Sequence, residues 1–432
     1  MTIIDLLKNN IIPESVKIVA KQENLSVEYI KNNILNGTVV IPLNNKKKLN
    51  RNFKVTGIGK GLRTKINANI GTSSDKIDIE NELEKLRIAI KYGADTVMDL
   101  STGGNLKKIR EKIIKNSNVP VGTVPIYQTV CEVLRKSKNI KYITPNHIFD
   151  VIQQHCEDGV DFITVHCGVN KKTTEIFKKY KRICGIVSRG GAFLTEWILV
   201  NNKENPLYEN FDKLLNIVKK YDVTLSLGDG LRPGSILDAN DRLQIQELQN
   251  LSELVKEARK NNVQVIVEGP GHMPINTIEK HVKLEKKITR GAPFYLLGPL
   301  VTDIAAGYDH ITSAIGASIA AGAGADFICY VTPAEHIKLP DVEDVKLGVI
   351  ASRIAAHVGD IVKNVSGSIQ WDKEISIARN GLDWEKQAKL SIDEENFLKQ
   401  RKKSFPKNKQ VCSMCGKYCA MREINSVLSN IK

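Results

Sequence analysis

Long apolar runs are absent from this sequence. No uninterrupted hydrophobic stretch approaches the roughly 20 residues that span a bilayer. The closest approach, Ala314–Tyr330, is rich in Gly and Ala and contains Asp326, which suits a helix packed tightly on a strand. Met1–Asn10 lacks the basic-then-apolar order of a secretory signal, so a cytoplasmic protein with no membrane partner is expected. Aromatic residues are sparse at 6% and are not interleaved with the basic ones. The formal charge of +15 favours anionic partners, but without a strip of stacking side chains nucleic acid is the weaker of them and a phosphorylated small molecule the stronger. The runs Lys46–Lys48, Lys399–Lys403 and Lys407–Lys409 read as solvated linker charge. Gly57-Ile-Gly-Lys-Gly61 lacks the spacing of a phosphate-cradling loop and reads as a turn.

Histidine is scarce too, and none lies beyond His357. That matters for Cys412-Ser-Met-Cys415-Gly-Lys-Tyr-Cys419 near the C-terminus, which has no fourth cysteine close by. A structural zinc site closes with four ligands, whereas an iron–sulfur cube held by three thiolates keeps one iron open for a small molecule. The competing readings are a zinc site that borrows a distant histidine, as in a zinc-knuckle nucleic-acid-binding protein, and reduced surface thiols. Cys131, Cys156, Cys167, Cys184 and Cys329 are scattered, as small buried hydrophobes are in a reducing compartment.

The chain of 432 residues has room for two or three units. Residues 1–60 carry helical patterns at Ile4–Lys8 and Ser26–Asn36 and form a lead-in domain. From residue 64 onward, short β-rich runs alternate with longer amphipathic segments at a spacing of roughly thirty residues, the rhythm of parallel βα units. The runs are Thr64–Asn69, Asp95–Asp99, Val121–Pro125, Phe162–Val165, Gly185–Ser188, Thr224–Leu227, Gln264–Glu268, Phe294–Leu297 and Phe327–Val331. That is one more than a closed barrel takes. Polar or aromatic residues recur at their ends: Asn69, Met98, Tyr127, His166, Arg189, Asp229 with Arg232, Glu268 with His272, Tyr295, and Glu335 with His336. In a (β/α)8 TIM-type barrel these positions face one mouth, where active sites form. The α/β barrel is assigned to residues 61–340. A C-terminal helical region, 341–432, has helices at Val342–Val365 and 383–402. The linker Lys402–Gln410 makes a mobile arm of the cysteine motif.

Six blocks carry a resemblance: Asn67-Ala-Asn-Ile-Gly71, Ser188-Arg-Gly-Gly191, Leu227-Gly-Asp-Gly-Leu-Arg-Pro-Gly234, Glu268-Gly-Pro-Gly-His-Met-Pro274, Tyr330-Val-Thr-Pro-Ala-Glu-His336 and Cys412-Ser-Met-Cys415. From Ile18 onward the chain resembles the phosphomethylpyrimidine synthase family of non-standard radical SAM enzymes, in its short form without the longer N-terminal region of many bacterial members. The resemblance implies conversion of 5-aminoimidazole ribotide to 4-amino-5-hydroxymethyl-2-methylpyrimidine phosphate in thiamine biosynthesis. It makes Cys412, Cys415 and Cys419 ligands of a 4Fe-4S cluster that cleaves S-adenosylmethionine (SAM). It places Asn69, Met98, Tyr127, His166, Ser188, Arg189, Gly190, Asp229, Gly230, Leu231, Arg232, Glu268 and Tyr295 around the substrate, and makes His272 and His336 ligands of zinc. An electron donor such as flavodoxin or ferredoxin and a homodimer are expected with it. The family spaces its cysteines by two residues and then four. Here Cys415 and Cys419 are separated by three, which keeps open a sister activity on the same substrate, 5-hydroxybenzimidazole synthesis.

Overall fold

The computed structural model describes residues 1–47, 49, 52–404 and 410–430. Three short helices come first, Ile3–Lys8, Glu14–Gln22 and Val27–Leu35. Thr2 and Asp5 cap the first reciprocally, and the Ser26 hydroxyl caps the third. Their apolar faces close over Leu7, Val16, Ile30, Ile34, Ile41 and Leu62. Two strands, β1 (Val39–Val40) and β2 (Ile58–Gly59), pair antiparallel beside them. The expected turn at Gly57–Gly61 is therefore half strand. Gly59 sits at φ +140°, where an added Cβ would lie 2.1 Å from the Thr38 carbonyl, so only glycine lets the strands meet there.

Parallel strands covered by helices must be buried on both faces, and the β-rich runs after residue 64 meet that demand. They form β3 (Lys65–Ile70), β4 (Thr96–Asp99), β5 (Val121–Thr123), β6 (Phe162–Val165), β7 (Thr224–Leu227), β8 (Val265–Gly269), β9 (Phe294–Leu297) and β10 (Phe327–Cys329). All eight pair in parallel and close into a barrel, with Phe327 of β10 opposite Lys65 of β3. The ninth expected strand, Gly185–Ser188, does not form: β6 pairs directly with β7, and Val187 is exposed. A β-prone run becomes a strand only where neighbours leave it an edge to join. Inside the barrel Phe162, Phe327 and Tyr295 form an aromatic plug, the last two stacked with centroids 4.2 Å apart. Above it the filling turns polar: Asn67 donates to the Tyr295 hydroxyl (2.8 Å) and accepts from Thr96.

The opposite, N-terminal end of the barrel is where the lead-in helices are fastened. The Asp161 carboxylate, just before β6, accepts backbone N–H groups from Asn44 and Val121 and pairs with Lys47. Gln264 holds both polar backbone groups of Ile41, and Asp222 accepts the Ile3 N–H at 2.7 Å. Lys47, read from sequence as solvated linker charge, is thus an anchor, while Lys399–Lys403 lie in a helix. Lys48 and Lys407–Lys409 lie outside the described residues. The helix Val342–Val362 packs on Asp309–Ala323 and on β3. Its Gly359 approaches so closely that a Cβ would lie 2.3 Å from that of Ala321.

Contacts divide the chain into two units, Met1–Lys363 and Asn364–Lys432. The second contains helices Ser368–Asn380, Trp384–Leu390, Glu394–Ser404 and Ala420–Asn430. One expected helix, 383–402, is thus two, because Asp393 caps a fresh start on the Asn396 N–H. Trp371 donates to the Leu390 carbonyl, and Arg401 lies 3.9 Å over the Trp384 ring while holding the Val411 carbonyl. Most of the expected linker Lys402–Gln410 lies outside the described residues. Among the described residues no helix is long and apolar enough to cross a membrane.

Candidate active site at the barrel mouth

Side chains at or near the C-terminal ends of seven strands line one cavity: Asn69, Met98, Tyr127, His166, Asp229 with Arg232, Glu268 and Tyr295. The geometry follows from the pleat, since residues two apart on parallel strands point the same way into the barrel. Two further wall residues, Thr164 and Cys329, and Ser226 just behind the wall, escaped sequence reasoning. Thr164 and Ser226 donate their hydroxyls to Glu268 Oε1 at 2.7 and 2.8 Å, and Cys329 accepts from Asn69 Nδ2 at 3.1 Å. A hydroxyl or thiol in the last two residues of a strand was the available signal.

Burial dominates the electrostatics. It pushes the His166 imidazole down to about 3, helped by the Arg232 charge, so the ring is neutral at physiological pH. It lifts Asp229 to about 7 against the pull of Arg232, and raises Glu268 against the hydroxyls of Thr164 and Ser226. His166 Nδ1 and Asp229 Oδ2 are buried without a hydrogen-bond partner. Such orphans are costly, and a polar ligand in the cavity is a natural partner for them.

Ser188, Arg189 and Gly190 open the helix Arg189–Asn201, with the Ser188 hydroxyl accepting the Gly191 N–H. Arg189 lies 4.6 Å over the Tyr127 ring and reaches a second cleft of about 440 Å³, which shares Asn69 and Leu100 with the first cavity. Glycine is required here: a Cβ on Gly190 would lie 2.2 Å from the His166 ring, and one on Gly191 1.9 Å from the Gly230 carbonyl. Gly230 and Leu231 do not offer N–H groups to the cavity, because Glu247 takes both.

His272 and His336 face each other with ring centroids 5.2 Å apart. His272 Nδ1 contacts Asp303 at 2.8 Å and His336 Nδ1 lies 3.7 Å from Asp309, which leaves both Nε2 atoms for a metal in the manner of carboxylate-oriented ligands. Burial lowers the His272 imidazole, and Asp303 works against that shift. Two imidazoles with open positions fit a zinc ion. In the second unit Cys412 is half-buried, Cys415 exposed and Cys419 buried. The backbone N–H groups of Cys415 and Met414 hold the Cys412 thiol below its ordinary range, with the Cys415 side chain adding to them. Three soft thiols with amide donors fit an iron–sulfur centre. Among the described residues no three His, Cys, Asp or Glu side chains are gathered around one point.

A closed parallel barrel with titratable groups converging at its C-terminal mouth defines a TIM-barrel enzyme. The family is set by sequence. The model of the radical SAM ThiC family matches residues 2–426, and the chain belongs to that family. It is 54% identical over 417 residues to a protein named phosphomethylpyrimidine synthase from Desulforamulus reducens, covering 96% of each chain. Its identity to the protein of that name from Thermodesulfovibrio yellowstonii is 55% over 423 residues, 98% of each chain. For that from Caldanaerobacter subterraneus subsp. tengcongensis it is 55% over 429 residues, 99% of this chain and 98% of the relative.

Proposed function

We propose that this enzyme converts 5-aminoimidazole ribotide into 4-amino-5-hydroxymethyl-2-methylpyrimidine phosphate, the pyrimidine of thiamine. The observation that carries the reading is the convergence of Asn69, Met98, Tyr127, His166, Asp229, Arg232, Glu268 and Tyr295 on one cavity in a chain more than half identical to synthases of that name. The phosphate goes to Ser188, Arg189 and Gly190, where a 13-residue helix begins and presents backbone N–H groups beside a guanidinium. Neutral His166, the carboxyls of Asp229 and Glu268, and Arg232 take the ribose and the aminoimidazole. Asn69, Met98, Tyr127 and Tyr295 wall the ring, and Gly230 and Leu231 allow a close approach. Burial of this wall keeps water from a reactive intermediate.

Cys412, Cys415 and Cys419 would hold a 4Fe-4S cluster, which would supply the electron for reductive cleavage of SAM. The second cleft, reaching from Asn69 to His336, is the place for SAM. Zinc is held by His272 and His336. An electron donor such as flavodoxin or ferredoxin, a homodimer and a cytoplasmic location complete the reading. Expression in a strain that cannot make the thiamine pyrimidine tests it. Growth without added pyrimidine is expected from the natural chain and not from Cys412→Ala; no growth from the natural chain, when expressed and loaded with iron, counts against it.

A further inference from the structure

The helix Arg242–Lys260 has a buried apolar stripe of Leu243, Leu251, Leu254, Val255 and Ala258, and in the middle of it stands Glu247, 1% exposed. A lone carboxylate in such a stripe costs several kcal/mol unless it is paired. Its two oxygens accept the N–H groups of Gly230 (2.9 Å) and Leu231 (2.7 Å), the loop that carries Asp229 and Arg232 to the cavity. Packing leaves it no freedom: a Cβ on Gly168 would lie 2.6 Å from Glu247 Cγ and one on Gly230 3.1 Å from Oε1.

The carboxyls of Asp229 and Glu247 influence each other's protonation, and Asp229 Oδ2 is buried with no N–H or O–H donor of its own. Two carboxylates attract only if one of them carries a proton. The surrounding charges cannot neutralise both. Glu268 adds a third carboxyl, accepting the Asp229 N–H at 3.3 Å. Arg232 faces the group, and Arg182 spends its guanidinium on Asp241 at 2.6 and 2.7 Å.

We propose that Glu247 is a positioning residue, which shares one proton with Asp229 and, through its two backbone N–H contacts, fixes the loop that brings Asp229 and Arg232 to the substrate. The proposal deepens the functional reading above and rests on it for the identity of the substrate. Sharing makes the pair a single negative charge and lets Asp229 keep a directed carboxyl beside Glu268. Burial holds both carboxyls above their ordinary range; the Asp229 charge lifts Glu247 further, while Arg232 and the contact with Glu247 pull Asp229 back down.

Two readouts separate this role from mere packing. The first is the infrared carboxylic-acid band of the substrate-free protein at neutral pH: one such band is expected to disappear in Glu247→Gln. The second is affinity for 5-aminoimidazole ribotide against pH. The amide of Glu247→Gln can donate to Asp229 and still accept one N–H, so its affinity should stay near the natural protein's at neutral pH and lose the fall that the natural protein shows when alkali removes the shared proton. Glu247→Ala leaves two N–H groups without an acceptor and should bind at least about tenfold more weakly. An unchanged acid band in Glu247→Gln, or affinity as poor as that of Glu247→Ala, overturns the proposal. Should Glu247→Ala not fold, the band and pH profile of Glu247→Gln decide alone. If the natural protein fails to bind the ribotide, the functional reading falls, while the band still judges the shared proton.

Discussion

Replacing Gly191 with alanine should cripple the enzyme while leaving it folded. Gly191 lies in the first turn of the helix Arg189–Asn201, where alanine is intrinsically the better residue, by at most about 1 kcal/mol. Contact works the other way. The new methyl would stand 1.9 Å from the Gly230 carbonyl oxygen and 2.5 Å from its carbon. To reach an ordinary contact near 3.4 Å, the helix start and the Asp229 loop must part by about 1.5 Å. Both sides are backbone, so no rotamer can absorb the shift. Overpacking of this kind costs about 1–3 kcal/mol, which exceeds the helical gain and lowers the melting temperature modestly. Misplacing reacting groups by ~1 Å costs about 10²-fold in rate, and the shift here separates Arg189 from Asp229 and Arg232. We expect kcat/KM for the ribotide to fall by about that factor, with circular dichroism unchanged. A Gly191→Ala enzyme with natural kcat/KM would refute the tight apposition of the two loops as the basis of substrate positioning.

Further outcomes follow from the same geometry. Burial lifts Asp222 to about 7 despite the Ile3 N–H, so its folded pKa lies above its unfolded one. The fold then loses stability as pH climbs from about 4 to about 7, and urea melts of Asp222→Asn should show a flatter slope there than the natural protein; an identical slope would mean that Asp222 is not the group responsible. Asp303→Ala removes the acceptor that orients His272, and zinc affinity measured with a chelator should drop by about 10–100-fold, while full affinity would make that contact incidental. Cys412→Ala, Cys415→Ala and Cys419→Ala should each abolish reductive SAM cleavage with the barrel's thermal transition intact. Any of them that still forms 5'-deoxyadenosine at the natural rate names a cysteine that is not a ligand.

The barrel was legible because parallel βα units write themselves twice, as buried β-rich runs and as polar residues at their ends. Gly185–Ser188 was misread because its local pattern is that of a strand, whereas membership depends on an open edge that β6 and β7 deny it. Gly57–Gly61 was read only in part, as the turn that Lys60 and Gly61 do form: the strand Ile58–Gly59 depends on a partner, Val39–Val40, supplied by another segment. The cavity-lining residues were reachable from strand ends and from family resemblance. Glu247 was not, since it sits mid-helix and reads as part of a polar face. Its signal is visible only when the helix is laid against its stripe, where it stands four residues from both Leu243 and Leu251. Lys85 and Arg110, both buried in comparable stripes, escape notice in the same way. The pairing of Asp303 with His272 joins two loops whose approach only the closed barrel reveals.

Anaerobic reconstitution with iron, sulfide, a reductant, SAM and 5-aminoimidazole ribotide, followed by mass spectrometry of the products, tests the central claim most directly. The account predicts 5'-deoxyadenosine together with a pyrimidine that retains the substrate phosphate. A phosphate-free benzimidazole from the same competent enzyme would contradict it.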